Sequence, residues 1–198
     1  MKEILFEEKI YKVSFEAMPE SLKERLPGKK LEYYLHLLEK VQFQPKVVYK
    51  EIKTFSAEHP DVPEVINLLT FAHIKNRRIG EAEYLIEKTF QDYPNYLFAR
   101  INYADQCVRQ KKLDKVSEIF PSFDLKELYP EKEIFHASEF RGFLIMMAHY
   151  YRAQKMKEKA LPYFDTLKKM DPYHPGVLYL EKKLVKRSLF HRLFGLKK

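Results

Sequence analysis

Seven histidines and one cysteine are the residues of this chain best suited to hold a metal or attack a substrate, and their spacing favours neither. His36, His59, His73, His136, His149, His174 and His191 are scattered, and no two stand four apart, so no helix turn offers a pair to one ion. Cys107 is the single cysteine, which excludes an intramolecular disulfide framework and a multi-cysteine metal site. It is expected as a buried thiol packing like a small apolar side chain. The chain has no glycine-rich phosphate loop, no HExxH and no nucleophile elbow. The expectation is a protein without catalytic centre, metal or cofactor, whose chemistry is recognition.

The charge pattern narrows what could be recognised. The net charge is +8, but seven of the 36 basic residues fall between Lys182 and Lys198, where there is no acid, leaving 29 against 28 acids elsewhere. A near-neutral body argues against nucleic-acid binding by the whole domain. The tail, residues 186–198, is a separate question. Val185, Leu189, Leu193 and Leu196 form a helical stripe that Phe190 and Phe194 widen, while Lys186, Arg187, Arg192, Lys197 and Lys198 supply charge. Three roles stay open for it: packing on the preceding helices, lying on an anionic membrane surface, or holding another protein or nucleic acid. Leucine, phenylalanine and basic residues fit a membrane better than nucleic acid, because no stacking platform accompanies them. Acids interrupt the first apolar run, Ile4-Leu5-Phe6, so no signal-peptide core is expected there, and nowhere do 18 apolar residues run together. The expected location is cytoplasmic, with the inner face of a membrane as the alternative.

Such surfaces need elements to carry them. The 198 residues are 45% hydrophobic with only five glycines, which favours helices over strands and tight turns, and the 11 prolines are spread as punctuation. Lys29–Phe43 is an amphipathic helix through Leu31, Tyr34, Leu35 and Leu38, and Pro45 opens its partner, carrying Val48, Ile52 and Phe55. Further pairs are expected at 63–76 with 79–92, at 95–111 with 112–120, and within 141–174, followed by a helix from Pro175. Taking Arg141 as position 1 puts Leu144 at 4, Met147 at 7, Ala148 at 8, Tyr151 at 11, Ala160 at 20, Phe164 at 24, Leu167 at 27 and Pro172 at 32. Starting at Pro63, the same places hold Ile66, Leu69, Thr70, His73, Ala82, Ile86, Thr89 and Pro94. Starting at Lys29, they include Leu35, Val48, Ile52, Phe55 and Pro60, and the unit from Leu97 has Tyr103, Ala104, Cys107, Val116 and Phe120. Small residues at 8 and 20 let paired helices approach, and proline at 32 stops the second one.

This pattern resembles the tetratricopeptide repeat, a helix–turn–helix unit of about 34 residues. The resemblance covers residues 29–185 and implies an all-α, right-handed superhelix of about four pairs, near 29–62, 63–96, 97–130 and 141–174, capped by a helix from 175. In that family the first helices line a concave groove that holds a peptide. Carried onto this chain, the groove positions are Tyr33, Leu37, Lys40, Asn67, Phe71, Ile74, Lys75, Ile101, Asp105, Arg109, Ile145, His149 and Arg152. The resemblance thus implies a non-enzymatic adaptor or scaffold whose partner is an amphipathic, partly acidic protein segment, anchored by Phe71 and Ile101 and selected by Lys75, Arg109 and Arg152. The Lys and Asn pair of the carboxylate-clamping subgroup is incomplete, since Asn67 is followed one turn later by Phe71.

Two stretches stand outside the period. Residues 1–28 read as a lid over the first repeat: a helical turn in Met1–Glu8, a weak strand in Lys9–Phe15 and a short helix before Pro27-Gly28. About ten residues, 131–140, are inserted before Arg141, and residues 121–140 read as a loop with a short helix. For residues 121–140 two roles compete, a binding face and packing filler.

Overall fold

A computed structural model describes residues 1–16 and 20–185. The described residues are mostly helical, 69% helix, with a small sheet of three strands. In order, the elements are β1 (Lys2–Phe6), β2 (Lys9–Ser14), α1 (Glu20–Arg25), α2 (Lys29–Phe43), α3 (Pro45–Glu58), α4 (Pro63–Lys75), α5 (Ile79–Asp92) and α6 (Leu97–Arg109). They continue with α7 (Asp114–Ile119), α8 (Leu125–Leu128), β3 (Ile134–His136), α9 (Ala137–Ala153), α10 (Lys157–Met170) and α11 (Pro175–Leu184). The chain divides into two compact units: an inserted unit, Glu16–Gln106, and a split unit made of Met1–Phe15 and the chain from Cys107 onward. The division falls inside α6.

Three helix pairs share one connecting turn. Arg77, Lys111 and Lys155, each the fifteenth residue of its unit, have φ of 61°, 61° and 64°. The next amide in each case bonds five residues back: Arg78 N to His73 O, Lys112 N to Cys107 O and Met156 N to Tyr151 O, all at 2.9 Å. The left-handed residue itself donates three back, to Ile74, Val108 and Arg152, at 3.0–3.1 Å. This double bond closes the orphan carbonyls of a helix end, a position glycine usually fills. The second helices also end alike. His59, Tyr93 and Asp171 have φ, ψ of −132°, 60°, −133°, 62° and −152°, 74°, because each precedes a proline that denies it helical geometry. Glycine at Arg77, Lys111 or Lys155 should raise stability by about 0.5–1 kcal/mol each, since it removes the Cβ strain of positive φ against a smaller entropy cost. Urea melts check this; valine at the same sites should lower the midpoint.

In the inserted unit one core cluster joins α1, α2, α3 and α4. Tyr34, Leu37 and Val41 of α2, Val48, Ile52 and Phe55 of α3, and Val65, Leu68 and Ala72 of α4 close around Leu22 and Leu26. Those last two come from α1 and the turn after it, so this part of the expected lid does cover the first pair. Arg25 pairs with the buried carboxylate of Glu64, tying α1 to α4. Asn76 donates to the carbonyl of Pro45 at 3.0 Å and of Ala72 at 2.8 Å, pinning the end of α4 to the start of α3.

In the split unit the first residues are not helical. Met1–Glu8 contributes β1, which pairs antiparallel with β2 through a two-residue turn, Glu7 and Glu8, with φ of 46° and 65°. β2 also pairs in parallel with β3, so Lys12, Val13 and Ser14 lie beside Ile134, Phe135 and His136. The residue 1–15 part of the expected lid therefore belongs with the late part of the chain, and the 121–140 insertion holds a strand as well as the short helix α8. Phe6, Tyr11, Val13 and Phe135 face inward and are buried. Phe6 meets Tyr163 of α10 at 4.9 Å between ring centres, and Tyr11 meets Phe140 of α9 at 5.0 Å. α9 and α10 pack with Leu144, Met147, Ala148, Ala160 and Leu167 all wholly buried. Arg141 bonds Asp171 at 2.8 Å, joining the start of α9 to the end of α10. α7 is shorter than the 112–120 expected at both ends: it begins at Asp114, and it stops at Ile119 because Phe120 precedes Pro121 and is extended, with φ, ψ of −120°, 84°.

Candidate functional site

α4 is apolar on nearly every side, and this decides what its free face offers. Val65, Leu68 and Ala72 turn into the cluster, while Thr70 and His73 are buried elsewhere. The remaining stripe is Asn67, Phe71, Ile74 and Lys75, spaced four, three and one apart as one helix face requires. Phe71 packs partly against the cluster, Ile74 is 43% exposed, and the Lys75 ammonium lies 5.2 Å from the centre of the Phe71 ring. On α6, Asn102 donates to the Asn67 side-chain oxygen at 2.8 Å, so the two helices meet at a polar pair. Around it Thr70, Ile86, Thr89, Tyr96 and Ala99 enclose a cavity of about 10 Å³, room for a single water at most.

The other expected groove residues of this unit divide. Leu37 is wholly buried and Ile101 is 5% exposed, so both are core residues with no surface for a partner. Tyr33 turns toward α3, donating its hydroxyl to Glu51 at 3.1 Å and meeting Phe55 edge-on, with His36 stacked beside it. Lys40 and Asp105 are half-buried. Asn102 was missed because the face of α6 is rotated one residue from the repeat register. Its signal was the polar stripe Asn102, Asp105 and Arg109, spaced three and four apart between apolar neighbours.

In the split unit, Arg109 is exposed at the end of α6, and Ile145, His149 and Arg152 share one face of α9. Ile145 reaches Gly176 of α11 so closely that a Cβ there would stand 2.8 Å from its Cδ1. The His149 ring meets Tyr179 edge-on at 5.8 Å, and the Lys183 ammonium lies 5.5 Å above Tyr179. Tyr179 and Lys183 belong to the helix from Pro175, which was expected as a cap and not as part of the groove. Among the described residues, the buried Nε of Arg152 has no acceptor. The tail positions Lys186, Arg187, Leu189, Phe190, Arg192, Leu193, Phe194, Lys197 and Lys198 lie outside the described residues.

The remaining titratable groups do structural work. His73 lies 3.2 Å from the Tyr49 hydroxyl, and burial holds its imidazole below its ordinary pKa. His174 accepts from the Gly176 amide at 3.1 Å and caps α11; burial, then the Arg141 charge, keep it low as well. His136 caps α9, with Glu139 completing a reciprocal box. Cys107 is buried. Among the described residues no three His, Cys, Asp or Glu side chains gather as a metal set, and no helix is long and apolar enough to cross a membrane. No family model matches the chain, and neither a curated protein nor a solved structure matches it.

Proposed function

We propose that this chain is a tetratricopeptide-like interaction module, a non-enzymatic adaptor whose pairs repeat as turns of a right-handed superhelix with α11 as the cap. The observation that carries this reading is the recurrence of one turn, bonded through the same atoms, at the same place in three helix pairs. A repeated turn favours a repeated crossing of the helices it joins, and the burial of the small residues Ala82, Ala148 and Ala160 supports such close approach.

The binding face in the inserted unit is the α4 stripe. Ile74 and Phe71 form an apolar anchor, and Lys75, with Lys40 on α2, favours a partner segment carrying acids beside an apolar side chain. This is the interaction geometry of an amphipathic peptide in a helical groove. Peptide display against the intact protein should enrich acidic sequences with a spaced apolar residue. Ile74→Asp and Lys75→Glu should each weaken the enriched peptides by about tenfold, with thermal stability unchanged because both side chains are exposed. Enrichment that survives both changes would remove the α4 face from the reading.

A further inference from the structure

The N-terminal hairpin and the 121–140 insertion, two stretches that the repeat leaves without a role, build a crevice between them. It has a volume of about 350 Å³ and is lined by Ile10 and Lys12 of β2, Lys126 of α8, and Tyr129, Pro130, Lys132 and Glu133 of the turn leading to β3. Strand alternation explains the β2 contribution: Tyr11 and Val13 point into the core, so Ile10 and Lys12 must point out.

Of the charged residues lining this crevice three are lysines, Lys12, Lys126 and Lys132, and one is an acid, Glu133, while the neighbouring Asp124, Glu127 and Glu139 are already bonded. Asp124 is bonded by Lys9, by the Tyr11 hydroxyl at 2.7 Å and by the Lys126 amide at 2.8 Å. Burial alone would raise its pKa, but the Lys9 and Tyr11 bonds outweigh it and hold the carboxyl below its ordinary value. Glu127 takes Ser122 at 2.7 Å and Lys9 at 3.2 Å. Glu139, almost buried, takes Lys132 at 2.7 Å. Among the described residues no acid pairs with Lys12 or Lys126, although Glu3 stands opposite Lys12 in the strand register. Lys126 has its ammonium 5.7 Å from the centre of the Tyr11 ring and is itself part of the crevice lining.

The floor is apolar and continues past the rim. Leu5, Ile10 and Ile134 share the outward face of the sheet and are 68%, 51% and 45% exposed. A compact phosphate group would need converging donors, but Lys132 is already neutralised and the Asp124 side chain occupies the amide of α8. An elongated ligand instead uses both the oily strip and the two unpaired lysines.

We propose that this crevice and the adjoining sheet face bind a short acidic peptide segment, with an apolar side chain seated on Ile10 and Pro130 and carboxylates facing Lys12 and Lys126. The site lies wholly within the split unit and does not depend on the α4 face. The probe is a blocked hexapeptide with two acids, Leu, Phe and two more acids, titrated into the full chain with isoleucine methyls labelled for NMR. Ile10 and Ile134 should shift together, and Lys12→Glu with Lys126→Glu should weaken the response roughly tenfold, more at low salt than at high. Shifts confined to Ile74 would overturn the crevice and leave the α4 reading standing; shifts confined to Ile10 and Ile134 would do the reverse. A lysine-for-acid version of the peptide that binds equally, or inorganic phosphate that reproduces the shifts, would also overturn the proposal.

Discussion

Phe140→Ala should destabilise the split unit by about 3–5 kcal/mol, the usual loss when a fully buried aromatic ring is cut to a methyl. Phe140 is wholly buried and touches both strands of the hairpin, meeting Tyr11 at 5.0 Å and Phe6 edge-on at 6.4 Å. Without the ring, the sheet loses the surface on which it rests, and a cavity opens between β2 and the start of α9. Phe140→Leu keeps most of the volume and should lose much less. Urea unfolding followed by circular dichroism gives the free energy, and amide exchange at Val13 and Phe135 tells where the loss is felt. A change below about 1 kcal/mol, or exchange that stays slow in both strands, would show that the hairpin is held by something other than these rings.

Leucine at Ala148 or Ala160 should cost about 1–3 kcal/mol each, because overpacking forces side chains off their rotamers or the backbones apart. Both alanines are wholly buried where α9 packs on α10. Serine at either site, close to alanine in size, separates the effect of volume from that of changing the residue. If the two alanines face one crossing, the double leucine variant will lose less than the sum of the single losses, since the first replacement has already spread the helices. Simple additivity would place them in separate contacts and weaken the case for a common crossing in every pair.

Most of the helices could be read from residues alone. Pro45, Pro63 and Pro175 each stand at the first residue of a helix, and Lys29–Phe43 and Ile79–Asp92 have the ends the apolar spacing gave. Proline is visible because it acts on its own neighbours. The strand expected at Lys9–Phe15 is β2, Lys9–Ser14, but its pairing into a hairpin was hidden for the opposite reason. Its turn is Glu7-Glu8, two residues at positive φ with none of the glycine or asparagine that normally announces such a turn, and Ile4-Leu5-Phe6 shows no alternation. β3 is three residues long and exists only because β2 lies beside it, so no local window contains its cause. At the candidate site the error was rotational. Leu37 and Ile101 were assigned to the surface by repeat position, but an apolar residue at a groove place goes inward whenever a neighbouring helix leaves room. On α4 the expected places Asn67, Phe71, Ile74 and Lys75 all keep some exposure, as Arg109 does at the end of α6.

The parallel pairing of β2 with β3 has a bearing on how the molecule is made. A ribosome releases residues 9–14 long before residues 134–136, and the whole inserted unit emerges in the interval. That unit holds its own core and can settle as it appears, whereas the early strands must wait, unpaired on one side, for a partner more than a hundred residues away. During synthesis the exposed Leu5 and Ile10 are thus the segment most in need of a chaperone, and slowing translation between residues 107 and 136 should increase aggregation before anything else changes.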